Sequence, residues 1–242
     1  MSRNICIIIP TYNNAGTILR VIEDVKSHGL PIIVVDDGCT DNTAALLAGV
    51  EDISVVNYGS NRGKGYALKA GFRHALNQGY DYAITLDADG QHFAADIPRL
   101  LQAHAAHPNA LIVGSRSLQG ENIPGKNIFA NKFSNFWFTV QTWQQLPDTQ
   151  TGYRLYPLHH VGGLKVLTSR YEAELEMLVF SAWKGVRLLP VKVGVYYPPA
   201  AERVTHFRPA YDFFRISVLN TVLCFLAVVY GYPMLLFHRL FK

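Results

Sequence analysis

A chain of 242 residues, 49% hydrophobic and only 17% charged, has the length for one large α/β domain plus an appendage, and its charge falls below the quarter usual in soluble domains. The net charge of +4, from 22 basic and 18 acidic residues, is too mild to point to nucleic acid, and no dense Lys/Arg run or basic–aromatic motif is present. Cys6, Cys39 and Cys224 are odd in number and far apart, which argues against a disulfide framework and against a Cys/His zinc site.

In chain order, Ile5 to Ile9 is a β-branched run stopped by Pro10, a first strand rather than a signal peptide, and Thr17 to Val25 then has helical spacing at Ile18, Val21, Ile22 and Val25. Pro31 to Val35 predicts a second strand ending in Asp36, Asp37 and Gly38, with Thr40 or Asp41 placed to cap a helix through Leu47. Ile53 to Asn57 is a third strand, and the loop YGSNRGKG leads into a helix with Leu68, Phe72, Ala75 and Leu76 on its apolar face. Tyr82 to Leu86 predicts the fourth strand, Ile97, Leu100 and Leu101 the next helix, and Ala110 to Val113 the fifth strand. Strands alternating with helices predict a mostly parallel sheet covered by helices on both faces. The continuous apolar strands fit burial on both sides.

The chain leaves its fourth strand at Asp87-Ala88-Asp89-Gly90-Gln91-His92. In an open α/β sheet, ligands bind at the carboxyl ends of the strands. Two carboxylates on one tight turn there are oxygen ligands of the kind that Mg²⁺ or Mn²⁺ takes together with substrate phosphates. Turn capping is the plainer alternative for the same acids.

The segments IPTYNN, VVDDGCTDNT, NRGKGYAL, LDADGQH, GSR and DTQTGYR, in this order and spacing, resemble the family 2 glycosyltransferases of the GT-A fold, and within them the dolichyl-phosphate mannose synthase and polyprenyl-phosphate glycosyltransferase branch. The resemblance covers about residues 4 to 200 and implies a GT-A, Rossmann-like domain over 1–200. It implies that Pro10 and Tyr12 line a base pocket, that Asp37 accepts from the base or ribose, and that Gly63 to Gly65 let the backbone approach the nucleotide. Asn14, Lys64, Asp87 and Ala88 complete this donor set. Asn14 stands where many relatives have Glu, and Cys39 where many have Ser. The resemblance also implies a Mg²⁺ or Mn²⁺ ion at Asp87 and Asp89, with Gln91 as a further oxygen contact and His92 outside the set. Asp89, Arg116 and Asp148 are implied as catalytic, and Gln150, Lys132 and Arg203 as acceptor or phosphate contacts. Arg154 is expected to tie its loop to a carboxylate. Glu172, Glu174 and Glu176 open a helix whose macrodipole alone favours acids, which leaves a catalytic Glu the lesser reading.

Phe129, Phe133, Phe136, Trp137 and Val140 recur at helical spacing, either as core or as a lipid-receiving stripe. From residue 201 the composition changes. Arg203, His206, Arg208 and Arg215 precede an apolar run, Ile216 to Phe237, closed by His238, Arg239 and Lys242. About 20 residues cross a hydrocarbon core, so one crossing is available. Helices lying in the membrane interface and a buried helix packing a homo-oligomer are the rivals, and membrane attachment is preferred over burial. The expectation is a membrane-associated enzyme, its catalytic domain on the cytoplasmic side, moving a sugar from a nucleoside-diphosphate donor to a polyprenyl or dolichyl phosphate. Transfer to a hydroxyl of a glycolipid or glycan, with Asp148 or one of the three glutamates as base, is an alternative. A non-catalytic nucleotide-sugar-binding membrane protein is another.

Overall fold

A computed structural model describes residues 4–116, 125–161, 163–197 and 209–241. Its strands are β1 (Ile5–Thr11), β2 (Ile32–Asp36), β3 (Ile53–Asn57), β4 (Tyr82–Thr85), β5 (Leu111–Arg116), β6 (Arg154–Pro157) and β7 (Leu188–Val193). They form one sheet in the order β3-β2-β1-β4-β6-β5-β7. Only β6 runs against its neighbours β4 and β5; β1 pairs in parallel with both β2 and β4, and β5 with β7. The register sets Thr11 beside Asp36 and Asp36 beside Asn57. Thr85 lies beside Arg154, the first residue of β6. The carboxyl ends of β1 to β4 and the loop entering β6 therefore share one rim.

Period-2 side-chain alternation divides the core in two. Ile5, Ile7 and Ile9 face a cluster with α1 (Ile18–Lys26), α2 (Thr43–Ala48) and α4 (Ile97–Ala106). Cys6 and Ile8 face the other cluster, with α3 (Lys64–Asn77), α5 (Gly125–Thr142), α7 (Glu172–Trp183) and α8 (Pro209–Leu226). A short helix, α6 (Leu158–Val161), follows β6. All of β1 and β2 is buried, as their unbroken apolar runs predict. β3 is an edge strand and is half-exposed.

Several local expectations shift. The fifth strand continues to Arg116, so Arg116 sits on the rim itself. The α2 helix begins later than expected, at Thr43, where the Asp41 carboxylate accepts the Thr43 N–H at 3.0 Å, and Thr40 instead pairs with Asn13. On α5 the buried side chains are Asn131, Ser134, Phe138, Gln141 and Thr142, whereas Phe129 and Phe136 are exposed. Several uncharged polar groups of this helix face the protein, while two of its aromatic rings face outward.

The C-terminal apolar run forms one nearly continuous helix: α8, a π-helical turn at Ala227–Gly231, and α9 (Tyr232–Leu240). By length and composition Tyr211–Leu240 could cross a membrane, with a mean hydropathy of 1.9 over its most apolar stretch. It nevertheless packs on the domain through Leu219, Leu223, Ala227 and Gly231, a stripe repeating every four residues. Gly231 is required there, because a Cβ would come within 2.4 Å of the Trp183 indole. The boundary drawn at residue 200 and Arg203 lie outside the described residues.

Candidate active site

Two acidic clusters sit on the carboxyl rim. At the end of β2, Asp37 is buried and fully engaged by its own fold. Its Oδ1 accepts the Arg62 N–H at 2.8 Å and the Tyr58 hydroxyl at 2.6 Å, and its Oδ2 accepts the Gly63 N–H at 2.9 Å. Asp36 accepts the Cys39 N–H and the Asn57 amide. These acids shape the loop between β3 and α3. Opposite them Asn13, left-handed at φ 54°, accepts the Thr40 and Asp41 N–H groups, a conformation Asn tolerates better than most residues. Asn14 donates to the Thr11 hydroxyl and the Tyr12 carbonyl. Pro10 is buried within β1, and Tyr12 is half-buried at the rim. Ala88 is buried, and its carbonyl accepts the Thr17 hydroxyl at 2.6 Å.

The cluster after β4 is built differently. Lys64, the first residue of α3, places its ammonium 2.7 Å from the Asp87 carboxylate and 2.9 Å from Glu174, the latter on α7. Burial by itself would lower the lysine's pKa, but the two facing carboxylates raise it. Asp87 is held below the usual carboxylate range, against its burial, chiefly by Lys64. Gly152 closes over this pair: a Cβ there would lie 2.7 Å from Asp87 Oδ2 and 2.8 Å from Lys64 Nζ. Asp89 has much less support. It accepts the Gln91 N–H at 2.9 Å, and burial together with the Asp87 charge pushes its pKa up to about 6. Gln91 is half-buried, and its carbonyl accepts the Tyr196 N–H. Burial lowers His92 to about 4. Its ring packs near Tyr153, so at neutral pH it is an uncharged neighbour.

At the end of β5, Arg116 grips Asp148 with both ends of its fork, Nε to Oδ2 at 2.6 Å and Nη2 to Oδ1 at 3.0 Å. Asp148 also accepts from Asn131 at 2.7 Å and from the Gln150 N–H at 3.1 Å. Although buried, its carboxyl is held below the usual range by these Arg116 contacts. Gln150 and Lys132 are exposed. Arg154 is fully buried and ties its loop to carbonyls, Glu174 O at 2.8 Å and Thr149 O at 3.0 Å, rather than to a carboxylate.

None of the three glutamates on α7 is left open. Glu172 pairs with Arg215, Glu174 with Lys64, and Glu176 accepts from the Thr168 N–H and hydroxyl. Asn131 beside Asp148 was not singled out from the sequence, and Glu174, considered there only as a base, instead pairs with Lys64. Asn131 was visible as one of the polar residues repeating along an aromatic helix. Glu174 lies far from Lys64 in the chain, and no local pattern links them.

Among the described residues no third His, Cys, Asp or Glu joins Asp87 and Asp89 in a metal-holding group. The donor set still fits a hard divalent ion. Two neighbouring carboxylates raise each other's cost of ionisation, Asp89 has no ion-pair partner among the described residues, and Mg²⁺ or Mn²⁺ needs only one or two carboxylates when phosphates and water supply the remaining oxygens.

The rim of this open α/β sheet with one reversed strand thus carries an acidic turn with a basic–acidic pair beside it. Residues 6–158 match the model of glycosyl transferase family 2, and the chain belongs to that family. It is 35% identical over 161 residues to polyprenol monophosphomannose synthase of Mycolicibacterium smegmatis, covering 62% of this chain and 60% of that one. It is 28% identical over 244 residues to UDP-N-acetylglucosamine–dolichyl-phosphate N-acetylglucosaminyltransferase of Methanococcus voltae, covering 89% and 96%. Glucosyl-3-phosphoglycerate synthase from Mycobacterium tuberculosis, solved with Mn²⁺, UDP and glucosyl-3-phosphoglycerate, superposes with a TM-score of 0.68 at 18% identity over 93% of this chain and 80% of that one. At that identity the likeness concerns the fold.

Proposed function

We propose that this glycosyltransferase is metal-dependent and inverting, and that it moves one sugar from a nucleoside-diphosphate donor, GDP-mannose or a UDP-hexose, to a polyprenyl or dolichyl phosphate at the cytoplasmic face of a membrane. The observation that carries the acceptor class is the state of Asp148. A hydroxyl acceptor needs a base to take its proton in the transition state. Asp148, clamped by Arg116 and Asn131, is too weak a base for that, and the three α7 glutamates are committed to cations or N–H groups. A phosphate acceptor is already anionic and needs no such group. The names of the mycobacterial and methanococcal relatives support the same acceptor class. Three free cysteines suit a reducing compartment.

In this reading Asp87 and Asp89 hold the divalent ion. A divalent ion held by these two carboxylates would supply Lewis-acid neutralisation of a diphosphate leaving group. Lys64 lies against Asp87 and adds a second positive charge beside the donor. Asp37, through the Arg62 and Gly63 N–H groups, sets the loop over which the nucleotide lies. Asp148 holds the Arg116 fork rigid, leaving Nη1 free of that clamp to face phosphate. To test the reading, membranes containing the protein are offered radiolabelled GDP- and UDP-sugars with polyprenyl phosphate. The expected product is label in the organic phase that mild acid releases. An acid-stable glycolipid, or no transfer from any donor, would overturn it.

A further inference from the structure

We infer that α5 and the α8–α9 helix form one apolar platform that lies flat in the surface of an anionic bilayer, rather than a segment that crosses it. This deepens the membrane setting of the proposed function, and its test does not depend on sugar transfer.

Three observations carry the inference. First, the helix is fastened to the domain along most of its length. Arg215 pairs with Glu172, the Asn220 amide oxygen accepts from Gln141 at 3.0 Å, the Tyr232 hydroxyl donates to the Val140 carbonyl at 2.7 Å, and the His238 ring lies against Gly185. From residue 215 to residue 238 is roughly 35 Å at helical rise. A crossing helix would either break these links or draw exposed Lys184 and Arg187, at the turn beside His238, into hydrocarbon at a high cost.

Second, the outward face suits lipid chemically. Phe214 is 67% exposed, Phe225 69% and Val228 64%, and Phe136 of α5 is exposed to a similar degree. The rings of Phe133 and Phe213, 6.1 Å apart, make the surface continuous between the two helices. The hydroxyls on this face are already satisfied: Ser217 donates to the Phe213 carbonyl and Thr221 to the Ser217 carbonyl. Neither needs water, so neither opposes entry into the interface.

Third, the charge is one-sided. Over residues 125–142 and 209–241 the sole acid is Asp212, which is buried, against the bases Lys126, Lys132, Arg215 and Arg239, of which Arg215 is already paired with Glu172. Arg239 lies over the Trp143 ring at 5.3 Å. Long cationic side chains around an apolar face reach up to anionic headgroups.

A second copy of the chain is the rival occupant, and a two-part experiment separates the cases. Full-length protein is mixed with preformed vesicles of phosphatidylcholine with or without phosphatidylglycerol and sedimented, beside the variant Phe214→Glu/Phe225→Glu/Val228→Glu. All three substituted positions are exposed, so the variant should keep the wild-type melting temperature. Wild type should bind anionic vesicles at least tenfold more tightly than zwitterionic ones, at about fivefold per basic residue engaged, and the variant should lose at least tenfold of that binding. In the second part, Phe241→Cys protein on the same vesicles is treated with a membrane-impermeant maleimide and the label is read on the C-terminal peptide. Equal labelling with and without detergent is expected. Protection until detergent is added means the helix crosses, and overturns the inference. So does vesicle binding that the three glutamates leave intact. A wild-type dimer that the glutamates dissociate, with no vesicle binding, assigns the face to a second copy and overturns it too. Transfer to a water-soluble short-chain prenyl phosphate should persist in the glutamate variant. Its absence in wild type as well would count against the proposed acceptor and leave the docking result standing.

Discussion

The acidic turns after β2 and after β4 occupy equivalent places on the rim yet are satisfied in opposite ways. Asp37 is answered by backbone N–H groups and a tyrosine hydroxyl at 2.6–2.9 Å, which come with the fold. Asp87 is answered by a lysine side chain, and Asp89 by one N–H while it faces the Asp87 charge. An acid that the backbone satisfies contributes to folding. An acid left short of positive charge, with its pKa displaced upward, marks a candidate functional group.

The sharpest way to break that contrast is Asp89→Ala. Sugar transfer should fall by more than about a hundredfold, on the scale of losing a principal electrostatic contact. Because the substitution also relieves repulsion of Asp87, the melting temperature should hold or rise slightly. Transfer at the wild-type rate with Mg²⁺ or Mn²⁺ present would remove the basis for the metal assignment. Asp37→Ala should act first on the fold itself. Stranding the Arg62 and Gly63 N–H groups and the Tyr58 hydroxyl should cost about 3 kcal/mol, at roughly 1 kcal/mol or more per lost partner, read as a drop in urea midpoint.

Asp148→Asn sharpens the comparison on a third acid, which is held by both kinds of partner. Asn keeps the shape but leaves Arg116 without its counter-charge, and a loss of about 2 kcal/mol is expected, short of the 3–5 kcal/mol of a fully buried broken pair. Since the folded-state pKa of Asp148 is depressed, the wild-type advantage should be complete above the unfolded value near pH 4. It should fade as the pH falls through the lower folded value. Urea midpoints of the two proteins across that range measure it; a gap that widens on acidification would contradict the ion pair. The smallest effect is expected of Gly152→Ala. Its Cβ would push on Asp87 Oδ2 and Lys64 Nζ, which are ends of flexible side chains, so the fold should survive. Donor affinity in equilibrium dialysis should weaken about tenfold, equivalent to about 1.4 kcal/mol.

The exposed apolar surface of α5 and α8 shows the limit of reading a helix from its own residues. Phe129, Phe133, Phe136 and Trp137 announce an aromatic stripe on α5 that fits either a core or an outward apolar face. Asn131, Ser134 and Gln141 point inward instead, because Asp148, Thr149 and Asn220 wait there with hydrogen-bonding groups. Those partners come from other parts of the chain, so no periodicity within α5 could announce them. The same holds for the C-terminal run. Its length and hydropathy admit a crossing, while Trp183 against Gly231 and Glu172 against Arg215 hold it to the domain.

What the sequence determined by itself was local. Unbroken β-branched runs and helical spacing set the βα alternation, and the polar clusters after Thr11, Asp36 and Asp87 marked the rim, because backbone preference and side-chain period act over a few residues. The tertiary structure decided the rest: the reversal of β6, the Lys64–Glu174 contact, the Arg116–Asp148 clamp, and which side of α5 and α8 is left bare. Each depends on groups remote in the chain, whose meeting is set by packing and by the cost of burying a charge without a partner.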